Sequence, residues 1–427
     1  MGWPRPASLV GFCTLVRGRP LDADGLRPPW RRRLHDGLAA LHQQRHRRLR
    51  SFRPTDGSAL QEEPGDRMAP GLGLPPPLLD LASNDYLGLS RHPGVIAAAR
   101  AELESSGLGA GGSRLVTGTR PVHLQLEAAL AAWLGRERVL LFPSGFQANL
   151  AAVTALADRG SLVCADRHVH HSLLAGVRTS GARLVRFAHN DLGDLERRLA
   201  QARSSQPDQT RLVLSESLFS MEGTSPDVPA LAALCRRHGA LLLLDEAHAL
   251  GVLGPGGRGL AHGLEGVHLV SGTFGKAFGS GGAFLAGDAL LGDWLLQASG
   301  AFRYTTALAP PLAAGALAAL RQIEAQPRIA PELLARAARW RDALEAAGWR
   351  RPAGHGPILP LLVGDDGAAL ALQERLEAGG LLAVAIRPPT VPAGTARLRL
   401  VLRQDLPSGT LPRLLEALGP TPSPLRP

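Results

Sequence analysis

Of the 47 basic side chains in this chain, 46 are arginine and one, Lys276, is lysine. Arginine replaces lysine wherever a site needs only a positive charge on a flexible stem. It fails where an amine must shed its proton and form a covalent bond, because guanidinium stays charged and is a poor nucleophile. A single lysine in an arginine-saturated chain is therefore a candidate for covalent chemistry, weighed against chance survival under a bias toward Arg, Ala, Gly and Pro. Its setting favours chemistry. Lys276 lies in Ser271-Gly-Thr-Phe-Gly-Lys-Ala-Phe-Gly, just past an apolar run, and small neighbours let a planar ligand approach closely. The Thr273 hydroxyl is placed to hold a phosphate. An ATP-binding P-loop would need Gly five residues before the Gly-Lys pair and Ser or Thr after it. Val270 and Ala277 stand there instead, so that reading fails.

Asp245-Glu-Ala-His248 follows the apolar run Leu241–Leu244. Taken alone it spells a helicase box, but no lysine precedes residue 276 to serve an upstream nucleotide loop. An Asp at the carboxyl end of a parallel strand lies where ligands bind in open α/β sheets. The alternative for Asp245 is a helix N-cap. A carboxylate paired with a covalently reactive lysine is the arrangement that pyridoxal phosphate chemistry needs. The Asp keeps the pyridine nitrogen protonated, and the ring becomes an electron sink.

Other segments fit around this pair. Phe142-Pro-Ser-Gly-Phe-Gln-Ala-Asn149 runs from strand into helix, which puts Ser144, Gly145 and Phe146 at a helix N-terminus that attracts phosphate. His168, His170 and His171 could suggest a metal, with His168 and His170 on one face of a strand. No further ligand set accompanies them, and a flat imidazole stacked on a flat cofactor ring is favoured. Gly107-Leu-Gly-Ala-Gly-Gly112 matches a dinucleotide pattern but follows the helical stretch 94–105, not a strand. Close backbone approach to a substrate is the better reading. Arg387 and Arg399 bracket a Pro-rich segment, and either suits a bidentate grip on a carboxylate, against an ordinary surface role.

These residues need a scaffold. From about residue 80 to 310, apolar strands alternate with helical stretches, as at Val139–Phe142, Ser161–Ala165, Arg211–Ser215, Ala240–Leu244 and Leu269–Gly272. Near-continuous apolar strands separated by helices predict an α/β fold, a largely parallel sheet covered on both sides. The expected organisation is a disordered basic extension over 1–29 and an N-terminal helix with linker over 30–79. A large domain follows over 80–310, a smaller α+β domain over 311–420, and a frayed tail over 421–427. The helix is expected from Trp30 to Arg53 on the pattern Leu34, Leu38, Leu41, and residues 54–77 read as linker.

Composition bounds the rest. The chain is 45% hydrophobic and 20% charged, and no apolar run is long enough to span a bilayer. Its net charge of +10 misleads, since residues 1–54 hold twelve Arg against Asp22, Asp24 and Asp36. The body is near neutral, so neither nucleic acid nor membrane is an expected partner. Cys13, Cys164 and Cys235 form no disulfide framework or zinc spacing, which makes a reducing cytoplasm the default. The short apolar stretch 7–16 lacks a clean cleavage site and is not read as a signal peptide.

Together the motifs resemble the fold type I pyridoxal phosphate enzymes, and more closely the α-oxoamine synthases, which join an amino acid to an acyl-CoA with loss of CO2. The resemblance runs from Trp30 to Leu418. It rests on Ser83-Asn-Asp-Tyr-Leu-Gly-Leu89, Gly111-Gly-Ser-Arg114, Phe187-Ala-His-Asn-Asp191, Glu216-Ser-Leu-Phe-Ser-Met-Glu-Gly223 and Thr273-Phe-Gly-Lys276. Within that family, Ala165-Asp-Arg167 and the stretch 385–400 resemble the alanine-using branch of biotin synthesis, which takes a pimeloyl thioester.

The resemblance implies a role for each candidate. Lys276 would bind the cofactor covalently and later move protons at the substrate Cα. Asp245 would pair with the pyridine nitrogen, and His248 and Ser220 with the ring hydroxyl, while His170 stacks on the ring. Ser144, Gly145, Phe146 and Thr273 would bind phosphate, with Thr305 or Thr306 reaching the phosphate of a neighbouring subunit in a homodimer. Asn84 would lie near the reacting substrate, Arg399 or Arg387 would anchor a carboxylate, and Arg50 matches loosely a substrate-contacting Arg. No metal is implied. His168 and His171 depart from the family pattern, where smaller or aliphatic residues stand. The first 29 residues have no counterpart, so the start at Met1 is expected to lie too far upstream. Rival functions are a glycine-using sister synthase, a simple aminotransferase that needs no thioester, and a cofactor-bearing scaffold without turnover.

Overall fold

A computed structural model describes residues 28–43, 49–63 and 75–419. The chain divides into two compact units, residues 1–51 with 63–72, and residues 52–62 with 73–427. In the first unit a helix spans Pro28–Gln43, and residues 49–53, which the expected helix would include, are not helical. Most of the expected basic extension, and the tail from residue 420, lie outside the described residues.

The second unit begins with strands β1 (Phe52–Pro54), β2 (Ala59–Glu62) and β3 (Leu78–Asp80). Part of the expected linker is thus sheet. Short strands flanked by Gly and Pro carry too few side chains to show alternation. The large sheet comprises β4 (Arg138–Phe142), β5 (Leu162–Asp166), β6 (Arg183–Phe187), β7 (Arg211–Glu216), β8 (Leu241–Asp245), β9 (Leu269–Thr273) and β10 (Ala283–Gly287). Their order is β4-β10-β9-β8-β7-β5-β6. Strand β10 runs antiparallel to both neighbours and the other pairs are parallel.

Helices cover both faces of this sheet, and alternate strand residues enter different cores. Val139 and Leu141 join one apolar cluster, while Leu140 and Phe142 join the other. This two-sided burial is why the strands read as unbroken apolar runs rather than as alternating ones. Local signals set the helix ends. Ser144 caps the helix Gly145–Leu156 by accepting the Gln147 N–H at 3.3 Å. Gly135 and Gly181 close the helices Pro121–Leu134 and His171–Ser180 in the left-handed region.

The C-terminal strands are β11 (Ile358–Gly364), β12 (Leu381–Leu382), β13 (Val384–Ile386) and β14 (Ala396–Val401). Strands β11, β14 and β13 form an antiparallel sheet, and β12 joins β3 in parallel, so the N-terminal strands belong with the small domain. The expected boundary at 311 needs correction. Helix Pro310–Ala325 packs against the helices Pro93–Ser106 and Pro121–Leu134, on the large sheet's side. Helix Ile329–Ala346 is the one that meets β11. Periodicity identifies a helix but not the layer it joins.

Candidate active site

Three neighbouring strands deliver chemistry at their carboxyl ends. Glu216 ends β7 in register with Asp245, which ends β8, and Lys276 lies three residues beyond β9. Asp245 is 6% exposed. Its Oδ2 accepts Asn149 Nδ2–H at 2.7 Å and its Oδ1 accepts the Ala247 N–H at 2.9 Å. Turns follow Asp245 rather than a helix, which removes the N-cap alternative. Asn149 also donates to Ser172 Oγ at 2.9 Å, while its own buried Oδ1 has no partner among the described residues.

Lys276 is half-buried. Desolvation lowers its pKa to about 8, partly opposed by the Asp245 and Glu216 carboxyls and assisted by Arg399. An amine near neutrality is a usable nucleophile and base at ordinary pH. Burial and the nearby Asp245 push the Glu216 carboxyl well above its usual range. Glu216 Oε1 accepts the His170 backbone N–H at 2.5 Å, and His170 Nδ1 meets Ser172 Oγ at 2.7 Å. Desolvation lowers the His170 pKa against the pull of Asp245. The residue is exposed, which leaves a flat imidazole beside the buried carboxylate.

His248 is buried with Nδ1 2.5 Å from Tyr86 Oη. Burial, and then the charges of Lys276 and Arg399, hold it well below the usual imidazole range. Arg399 descends from β14. Its Nε donates to Ser220 O at 2.7 Å and its Nη2 to Asn84 Oδ1 at 2.8 Å. Arg399 bears on both Lys276 and His248 electrostatically. The half-buried Arg387 makes no side-chain hydrogen bond or ion pair among the described residues. The fold therefore brings Arg399, rather than Arg387, into the cluster.

A second corner is built for an anion. Gly145 opens its helix facing Thr273, and a Cβ on Gly145 would lie 3.8 Å from the Thr273 Cβ. Thr273 Oγ1 donates to Gly282 O at 3.0 Å and accepts the Gly275 N–H at 3.3 Å. Phe146 lies exposed, tilted against the His171 ring. Gln147 Nε2 donates to Thr305 Oγ1 at 3.1 Å, so this threonine, expected at a neighbouring subunit's site, reaches the first helical turn of its own chain. Thr306 bridges to Ser113 through backbone. The Ser220 hydroxyl makes no bond among the described residues. Arg50 falls in the N-terminal unit.

One expectation is corrected: His168 lies in the turn past β5 and His170 caps the helix His171–Ser180, so the two do not share a strand face. His168 stacks on His189 with ring centroids 4.4 Å apart and pairs with Glu222. Among the described residues, no group of three or more His, Cys, Asp or Glu side chains could hold a metal. At Gly112 the backbone packs closely on its own chain, where a Cβ would lie 2.7 Å from Thr117 Oγ1.

Sequence reasoning assigned no role to Tyr86, Asn149, Glu216 or Arg403. The first three stand inside segments singled out above, and only the fold shows what they touch. Arg403 pairs with Asp80 at 3.0 Å and with Asp405 at 2.8 Å, holding the turn that carries Asn84. The set fits pyridoxal phosphate. It offers a near-neutral amine, a buried carboxylate for a pyridine nitrogen, an exposed imidazole face and a helix N-terminus opposite a threonine hydroxyl.

Comparison with known proteins agrees. The aminotransferase class I and II family model matches residues 76–418. A curated 8-amino-7-oxononanoate synthase from Gluconacetobacter diazotrophicus is 46% identical over 348 residues, 80% of this chain and 87% of the relative. A serine palmitoyltransferase structure with pyridoxal phosphate superposes with a TM-score of 0.82 at 29% identity, over 90% of this chain and 96% of that one. The Francisella tularensis 8-amino-7-oxononanoate synthase gives 0.69 at 25% identity, over 80% and 96%. The chain belongs to the class I and II aminotransferase family, as a pyridoxal phosphate-dependent acyltransferase of its α-oxoamine synthase branch.

Proposed function

We infer that the protein condenses L-alanine with a pimeloyl thioester, releasing CO2 and the free thiol and forming 8-amino-7-oxononanoate. The observation that carries this reading is the 46% identity to a synthase of that name across 87% of its length. Bound pyridoxal phosphate would supply the electron sink for the charge released at the substrate Cα. The chain's own residues do the rest. Lys276 holds the cofactor, then removes and returns the proton at the alanine Cα. The low pKa of its amine supports that shuttle. Asp245, steadied by Asn149, keeps the pyridine nitrogen protonated. His170 covers one ring face. His248 and Ser220 bond the ring hydroxyl, and Ser144, Gly145, Phe146 and Thr273 take the phosphate. Arg399, fixed by Ser220 O and Asn84, grips the alanine carboxylate and so aims the Cα–H bond. Arg387 is left for the acyl end. We place the enzyme in the cytoplasm as a homodimer with Thr305 or Thr306 at the shared edge. The free, buried thiols of Cys164 and Cys235 suit a reducing compartment.

Free-thiol release by the cofactor-loaded protein tests the reading. L-alanine with pimeloyl-CoA should release thiol, glycine with acetyl-CoA should not, and K276A should abolish release. Release only from the glycine pair would move the protein to a sister reaction. Turnover retained in K276A would overturn the mechanism.

A further inference from the structure

Tyr86 is completely buried, yet its hydroxyl reaches the centre of the site. Two groups lie within hydrogen-bond reach of that oxygen, His248 Nδ1 at 2.5 Å and Asn84 Oδ1 at 3.3 Å. The single phenolic proton must then go to Nδ1 or to Asn84. Nδ1 is nearer, and Asn84 Oδ1 is already occupied by Arg399 Nη2 at 2.8 Å. Burial pushes the phenol well above its usual range, so the proton stays on the hydroxyl. A neutral imidazole that accepts at Nδ1 carries its hydrogen on Nε2. His248 Nε2 makes no bond to any described residue.

We propose that Tyr86 is a positioning residue whose hydroxyl, donating to Nδ1, fixes His248 as the Nε2–H tautomer and so as a hydrogen-bond donor to an oxygen bound in the site. Asn84 Oδ1, which accepts Arg399 Nη2 at 2.8 Å and lies 3.3 Å from the hydroxyl, ties this donor to the group that grips the amino-acid carboxylate. Occupancy of the carboxylate position and orientation of the donor then become parts of one network. The substrate side of this inference rests on the function proposed above, whereas the tautomer does not.

The test uses Y86F, which keeps the ring that fills the core, alone and combined with H248N. The first readout is the pH midpoint of the visible absorption of the bound cofactor, which needs no substrate. Y86F should move it by roughly half a unit or more and should move it no further once His248 is Asn. The second readout is steady-state turnover. Y86F should lower kcat by about tenfold, the usual size for loss of a residue that orients another. KM for L-alanine should stay within about twofold, because Arg399 keeps Ser220 O and Asn84. A shift of equal size in both backgrounds, or an unchanged midpoint, would overturn the proposal. If no variant and not even the wild type releases thiol, the substrate reading fails and the absorption cycle still decides the role of Tyr86. Should Y86F not load cofactor, the nitrogen-15 signal of Nδ1 in the wild type, assigned by its loss in H248N, reads acceptor or protonated nitrogen directly. A protonated Nδ1 would end the proposal.

Discussion

The pKa of Lys276 makes a kinetic prediction about the cofactor-free protein. Desolvation lowers it from the ordinary 10.5 to about 8. At pH 7 about one amine in eleven is then free, against about one in three thousand for an unshifted lysine, an advantage of roughly 300-fold in reactive form. Covalent capture needs the free amine. Its rate at saturating pyridoxal phosphate, followed by the change in visible absorption after rapid mixing, should therefore rise between pH 6 and 10 with a midpoint near 8. Asp245 stabilises the ammonium form. D245N removes that support, so its midpoint should fall below the wild-type value while the cofactor is held more weakly. A wild-type midpoint near 10.5, or a D245N midpoint above the wild type's, would refute the argument. The stability sign follows from the same shift. The unfolded chain binds more protons than the folded one between about 8 and 10.5, so this group's contribution to stability rises with pH across that window. The burial cost is fully present below about 8.

Other perturbations should separate the site from its scaffold. R399K cannot span Ser220 O and Asn84 together, and losing a charge-assisted bond should raise KM for L-alanine by about 10- to 100-fold. R387A should raise it less than R399K does, and the reverse order in steady-state kinetics would reassign the anchor. G272A probes the strand beneath the lysine loop. A Cβ there would lie 2.4 Å from the Phe284 ring and 2.5 Å from Leu250. Overpacking of about 1–3 kcal/mol is expected, read as a lower Tm. Because β9 ends at Thr273, cofactor retention should fall with it.

The sheet and its chemistry were legible in the sequence because both are local. Five apolar runs marked strands within a residue or two of β4, β5, β7, β8 and β9, since burial on both faces leaves no polar alternation to confuse the reading. Lys276 announced itself by composition and Asp245 by its place after Leu241–Leu244. What the sequence left open were choices between distant segments. Nothing local says that β12 pairs with β3, or that Pro310–Ala325 joins the large sheet's layer while Ile329–Ala346 meets β11. Arg387 and Arg399 look alike as residues, and a hydrogen bond to Asn84, 315 positions away, is what separates them. Tyr86 and His248 stand 162 positions apart, and their contact sets which imidazole nitrogen is free. A residue's chemistry and its secondary structure depend on near neighbours, so the sequence by itself determined them. Protonation, tautomer and partner depend on burial and through-space distance, which only the tertiary structure decided.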